Sequence, residues 1–414
     1  MALTQIPPVM IDGGLGLDWQ SSVETSSFTA VNGNGYFVNT TSGSITVTMS
    51  SSPTTGDSIG IIDYAGTAAS NIIILTSSNN IQGSSDDKIV NYTRGALRIT
   101  YADVTQGWVA SAAANEGTSA LNPSPLLVDY LVVAGGGSGG SQYGGGGGAG
   151  GLLTNYNNGV AAIPLSLSTP YNVTVGVGGA GVIYATSPSN NGADSVFDSV
   201  TSKGGGYGGY FFGGSTASTG GNSGGSGGGG GMGLSAGVST AGGIATPTGQ
   251  GSDGGDGYRG SGGGDYLGGG GGGSSAPGQD GSAGATSTGG FGGAGSSVSI
   301  TGTALSYAGG GGGSGSITGG AGGAGGGGTG TGNSYNGATI NGTINTGGGG
   351  GGMLPYASGS LSGSGGSGIV ILRYPTADVS SFAVTGTLNT PTPSIVGTDS
   401  ILQFTGGTGT ITFS

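Results

Sequence analysis

The sequence predicts an all-β N-terminal domain, then a polyglycine II helix bundle, then a short C-terminal β tail, with no α-helical domain. Three observations carry this. Glycine is concentrated: of 109 glycines in 414 residues, thirteen precede Val128 and five follow Tyr374. Hydrophobic residues make up 33% and charged residues only 6%, whereas disordered chains combine low hydrophobicity with high charge. Outside the glycine blocks, apolar residues alternate with period two or form short runs of strand length, with no helical spacing.

Residues 1–16 read as an irregular arm and 17–112 as a small β domain. Within it, 28–31 and 36–38 flank Asn32-Gly33-Asn34-Gly35, a strong hairpin signal. Residues 45–49 and 97–101 alternate, 59–64 and 72–75 are apolar runs of strand length, and Gly107-Trp108-Val109 closes the domain. About seven short strands predict a sandwich or barrel, with Trp19, Phe37, Tyr64 and Trp108 in its core. Residues 113–127 read as a linker. The region 128–374 is glycine-rich and carries three apolar strands, 128–133, 171–175 and 369–374, which are expected to strap the bundle. Residues 375–414 return to β character.

Ordering such a region is costly, because glycine loses more backbone freedom on folding than any other residue. It buries no side chain in return. Compensation has to come from backbone hydrogen bonds at about 1 kcal/mol net each and from Cα–H···O contacts. Extended helices with three residues per turn and no internal hydrogen bonds supply both when packed side by side. Collagen is excluded, since the glycine runs lack a strict Gly-X-Y repeat and prolines number 14.

Histidine and cysteine are absent. That removes Cys/His zinc sites, thiol chemistry and every histidine-based triad. No cofactor and no metal site is expected. Six cations, Lys88, Arg94, Arg98, Lys203, Arg259 and Arg373, stand against 18 acids. They are too few and too scattered for a nucleic-acid footprint. No apolar run approaches the length of a membrane span. No signal peptide is expected, as no cation precedes Lys88 and Pro7-Pro8 interrupt the first apolar stretch.

Three chemical motifs fail on their context. Leu131-Val-Val-Ala-Gly135-Gly-Gly137-Ser-Gly-Gly140 matches a dinucleotide fingerprint, but more glycine follows in place of a helix, and residues 151–165 hold no acid. Asp253, Asp256, Asp265 and Asp280 lie among glycines, yet no nine-residue calcium repeat continues. The close acidic pairs Asp86/Asp87 and Asp253/Asp256 read as turn residues before they read as a glycan-cleaving pair. A non-enzyme is therefore expected.

The aromatic residues of the glycine-rich region are more informative. Tyr207, Tyr210, Phe211, Phe212, Tyr258, Tyr266 and Tyr335 sit between glycine blocks, where the chain turns at a bundle end. Tyrosine beside Ser, Gly and Asn is the composition of antibody paratopes. These seven are the receptor-binding candidates, the alternative being rings that seal the bundle end. Phe291, Tyr307 and Tyr356 complete the set.

Tyr130-Leu-Val-Val-Ala-Gly-Gly-Gly, Tyr171-Asn-Val-Thr-Val-Gly-Val-Gly-Gly-Ala-Gly, Asn191-Gly-Ala-Asp-Ser-Val-Phe197 and Gly368-Ile-Val-Ile-Leu-Arg-Tyr374 resemble the glycine-rich domain of tailed-bacteriophage fibre and adhesin proteins. The stretches beginning at Gly35 and Gly56, with Gly107-Trp-Val, are similar to β modules in structural proteins of myoviruses of marine cyanobacteria. The resemblance implies a virion structural protein on the particle surface, a tail-fibre or adhesin component. Its implied partners are other virion proteins and a host polysaccharide or outer-membrane protein, with a homotrimer as a candidate assembly. The structural alternative is a capsid decoration or other non-receptor virion protein. The chain departs from the family pattern in carrying β segments on both sides of the bundle.

Overall fold

The computed structural model describes residues 16–113, 122–123, 125–183, 189–211, 219–261, 264–284, 287–333, 340–354 and 361–414. The chain divides into two compact units, Met1–Pro125 and Leu126–Ser414. Among the described residues regular secondary structure is almost wholly β, with one short 3-10 turn at Thr376–Asp378.

The first unit has two five-stranded sheets. The first six strands alternate between them. Asp18–Glu24, Asn34–Val38 and Ser58–Asp63 pair in parallel in one sheet, and Phe28–Thr29, Ile45–Thr48 and Ile73–Thr76 in the other. The expected hairpin around Asn32-Gly33 is therefore not formed. Gly33 has the positive φ of a tight turn, at 87°, but the turn carries the chain from one sheet to the other. A turn motif fixes local reversal only, and pairing is decided by which face must be buried. Ala96–Asp103 and Gly107–Ala113 then close the first sheet in antiparallel fashion.

Ile45, Val47, Ile59, Ile61, Ile73, Leu75, Leu97, Ile99 and Trp108 form the core between the sheets. Trp19 and Tyr64, expected there, are 42% and 51% exposed. They flank Phe37 on the opposite face of the first sheet, with ring centroids 5.2 and 6.5 Å from Phe37. Strand alternation explains the correction: Tyr36 and Val38 are buried, so Phe37 between them points outward.

The second unit begins with a strand that feeds the glycine-rich region. Leu126–Val133 pairs with Ile369–Pro375, which pairs with Asp399–Phe404. A second sheet joins Pro170–Val175 to Gly407–Phe413. The C-terminal segment is thus woven into both sheets. Side chains alternate by face. Val128, Val132, Val370, Leu372, Leu402 and Phe404 meet Val173, Phe197, Ile411 and Phe413 of the second sheet. Leu131, Val133, Ile369 and Ile371 face the other way, onto Ala149, Val298, Ile300 and Tyr307.

Beyond these sheets the chain runs as straight rods whose hydrogen bonds rotate with period three. Ala134, Gly137 and Gly140 donate to Gly151, Gly148 and Gly145 (2.8–3.0 Å). Gly135 and Ser138 donate to Ala193 and Asn190, and Gly136 and Gly139 to Gly366 and Gly363. Each rod thus addresses three neighbours in turn, as a three-fold extended helix must. The rod 144–151 is enclosed. Its backbone is bonded to rods 134–141, 203–210, 227–233, 268–273, 309–314 and 347–353, which amounts to hexagonal packing. Glycine permits it at the positions that face another backbone, while the Ala149 methyl joins the apolar cluster at the sheet end. A Cβ on Gly146 would overlap the Gly311 carbonyl, and one on Gly271 the Gly147 carbonyl.

Candidate functional site

The bundle has two kinds of end. One carries the two sheets. The other is set by the turn at Gln142-Tyr143, where both residues adopt positive φ (52° and 55°). Neighbouring rods end at this turn. The amide of Phe211 donates to the Gln142 carbonyl (3.3 Å), that of Met232 to the Tyr143 carbonyl (3.1 Å), and that of Met353 to the Gly140 carbonyl (3.0 Å). The far end therefore gathers turns that are distant in sequence, and it gathers aromatic rings with them.

Tyr266 stacks on Tyr143, with centroids 4.6 Å apart and planes tilted by 46°. Its amide donates to the Ser316 hydroxyl at 2.6 Å. The Arg259 guanidinium lies 5.4 Å from the Tyr266 ring centroid, and Arg259 and Tyr266 are cross-strand partners. Tyr258, next to Arg259, points to the opposite face by strand alternation. There it lines an open cleft of about 410 Å³ with Ser239, Asp256, Asp280 and Ser282.

The remaining candidates are spread more widely. Tyr207 lies within a rod, and its amide donates to the Asn191 side-chain oxygen (3.0 Å). Tyr210 is only 9% exposed. Burial pushes its phenol above the usual tyrosine range, and Tyr207 adds to the shift. Its ring is packed into the bundle end and offers little surface to a ligand. Phe211 is half-buried. Phe212, Tyr335 and Tyr356 lie outside the described residues. Tyr307 is buried among the apolar residues at the sheet end, and Phe291 is 45% exposed. Tyr143 and Arg259 belong to the far-end cluster, and sequence reasoning did not select them. The signal for Tyr143 was present as the one aromatic residue between the glycine runs before 140 and after 144.

The carboxylates have a structural task. Edge rods lack a neighbour on one side, so every third amide faces outward. Asp253 accepts from Ala245 (2.7 Å), Asp256 from Gly242 (3.0 Å), Asp280 from Asp256 (2.7 Å) and Asp194 from Gly204 (2.9 Å). Asp256 and Asp280 thus each spend one oxygen on the lattice although they line the cleft. Among the described residues, no three carboxylates converge to hold a metal ion, and no helix is long and apolar enough to cross a membrane.

The fold and this end define a class: a backbone-bonded rod bundle, anchored by sheets at one end and displaying turns at the other. The glycine-rich domain family model matches residues 113–375, more than half of the chain, and the protein belongs to that family. A search among curated proteins finds no match.

Proposed function

We propose that this protein is a phage virion structural component, of the tail-fibre or adhesin kind, that recognises a host cell surface without covalent chemistry. The observation that carries the reading is the three-periodic hydrogen-bond lattice. It brings Tyr143, the Arg259/Tyr266 strand pair and Phe211 together from three separate stretches of chain. Loops held this way lose little freedom on contact, so weak contacts are not spent on ordering. Many copies on one particle would multiply those contacts into firm attachment. The target class is a surface polysaccharide or an outer-membrane protein. The first unit supplies the face that docks to other virion proteins.

Antibody-labelled electron microscopy of intact particles tests the placement. Label at fibre tips supports the reading, and label spread over the head selects the decoration alternative. Beads coated with the purified chain test the binding end. Tyr143→Ala with Tyr266→Ala should lower adherence of host cells about tenfold, as loss of an aromatic anchor does. Tyr64→Ala, in the first unit, should leave adherence unchanged. Equal adherence of all three proteins would refute the far-end assignment.

A further inference from the structure

We propose that Arg259 is an anion-recognition residue, and that the far end takes a single carboxylate or phosphate carried on a sugar. This rests on the reading of that end as the binding end and names the chemistry it selects.

The second unit holds three cations, Lys203, Arg259 and Arg373. Lys203 is paired with Asp194 at 2.7 Å and Arg373 with Asp399 at 2.8 Å. Among the described residues Arg259 has no carboxylate within 4.0 Å. Of the three cations of the second unit, Arg259 is thus the one that no described carboxylate neutralises. A guanidinium carries five N–H donors. Arg259 uses one, from Nη1 to the Leu234 carbonyl at 2.8 Å, while its Nε is buried without a partner. The unfilled donors call for an acceptor that the chain does not supply.

The surroundings fit an anion on a sugar. The Leu234 contact and the Tyr266 ring fix the guanidinium in place, so an incoming anion meets the remaining Nη donors in a pre-set orientation. Leu234 and Val238 are exposed apolar neighbours, at 42% and 45%, and the Arg259 amide donates to the Val238 carbonyl. An apolar rim strengthens an ion pair by excluding water. The Tyr143 and Tyr266 rings, tilted against each other, offer apolar ring surface for the C–H side of a pyranose, with polar tips for its hydroxyls.

The test uses the full-length protein and three soluble probes: digalacturonate, its dimethyl ester, and galactose 6-phosphate. Binding is read by NMR from the Arg259 Nε–H resonance and from the ligand signals. Digalacturonate should shift that resonance and bind at least about tenfold more tightly than the ester. Galactose 6-phosphate separates the two anion sources: tighter binding than digalacturonate assigns phosphate, weaker binding assigns carboxylate. Arg259→Gln should remove the preference for acid over ester, and Arg259→Lys should keep part of it, with thermal melts confirming that both variants fold. Equal binding of acid and ester, binding of none of the probes, or a preference that survives in Arg259→Gln would overturn the assignment. If cells still adhere to wild-type beads in that case, the anion assignment falls and the adhesin reading stands.

Discussion

The two units solve the same problem with opposite materials. In the first, the interior is side chain: Ile59, Ile99 and Trp108 are fully buried between sheets. In the second, beyond its sheets, the interior is main chain: the rod 144–151 is surrounded by backbone amides and carbonyls of other rods. The first interior is held by burial of apolar area. The second is held by hydrogen bonds whose geometry requires that nothing stand between the chains. Removing atoms should therefore injure the first, and adding atoms should injure the second.

The sharpest way to break this comparison is a single added methyl. Gly146→Ala places a Cβ onto the Gly311 carbonyl, and Gly311 belongs to a rod bonded in turn to its own neighbours. Overpacking ordinarily costs about 1–3 kcal/mol because side chains yield. Here only backbone is available to move, and we expect a loss of about 4 kcal/mol. Amide exchange should accelerate throughout the rods that touch 144–151. Gly406→Ala, where nothing lies within 4 Å of the new Cβ, should change stability by less than about 0.5 kcal/mol. Equal effects of the two substitutions would show that the rods are not packed at backbone distance.

The mirror experiment removes atoms from the first unit. Trp108 is fully buried and lies 5.6 Å from the Tyr101 ring centroid. Trp108→Ala should cost about 3 kcal/mol through lost burial and the cavity left behind. The melting transition of the first unit should fall. A drop of under about 1 kcal/mol would mean that this core is not closed around Trp108.

Edge carboxylates sharpen the contrast at a smaller scale. Asp256 bonds the Gly242 amide at the bundle surface. Asp256→Ala should cost about 1 kcal/mol, the net value of one hydrogen bond. Asp256→Asn retains an acceptor oxygen and should restore most of it. If Ala and Asn are equally harmful, charge rather than lattice completion is what the residue supplies.

How much of this was legible in the sequence follows the same division. The rods could be read from glycine content because only one backbone geometry compensates so much glycine without side chains. The strap strands could be read as apolar runs of strand length between the glycine blocks, as at 128–133 and 369–374. The hairpin at Asn32-Gly33 could not, because pairing between strands depends on burial across the whole unit rather than on one turn. Trp19 and Tyr64 were placed inside on residue type alone, and strand phase puts them outside. At the far end, Tyr258 and Tyr266 were legible as aromatic residues at turns. Arg259 was not, because its lack of a counter-ion is a fact about three-dimensional neighbours. The edge role of the aspartates was hidden for a similar reason: which amides lack a neighbouring rod is settled only by the packing of all of them.

The smallest effect concerns the junction between sheet and rods within the second unit. Asp129 lies in the strand that feeds the first rod and pairs in register with Arg373. Burial raises its carboxyl above the usual aspartate range; Arg373 opposes that shift and Asp399 adds to it. The folded protein therefore holds the Asp129 proton more tightly than the unfolded chain does. Between the ordinary aspartate value and the raised one, the folded state binds more protons, so stability falls as pH rises through that window. At neutral pH the cost is fully present, and Asp129→Asn should stabilise the second unit modestly. Below the ordinary aspartate range both forms of the residue are neutral and the gain should vanish. Denaturant melts of both proteins at neutral and acid pH check this. A gain that persisted in acid would trace to the amide's own hydrogen bonds, and destabilisation at neutral pH would mean that attraction to Arg373 outweighs burial at this junction.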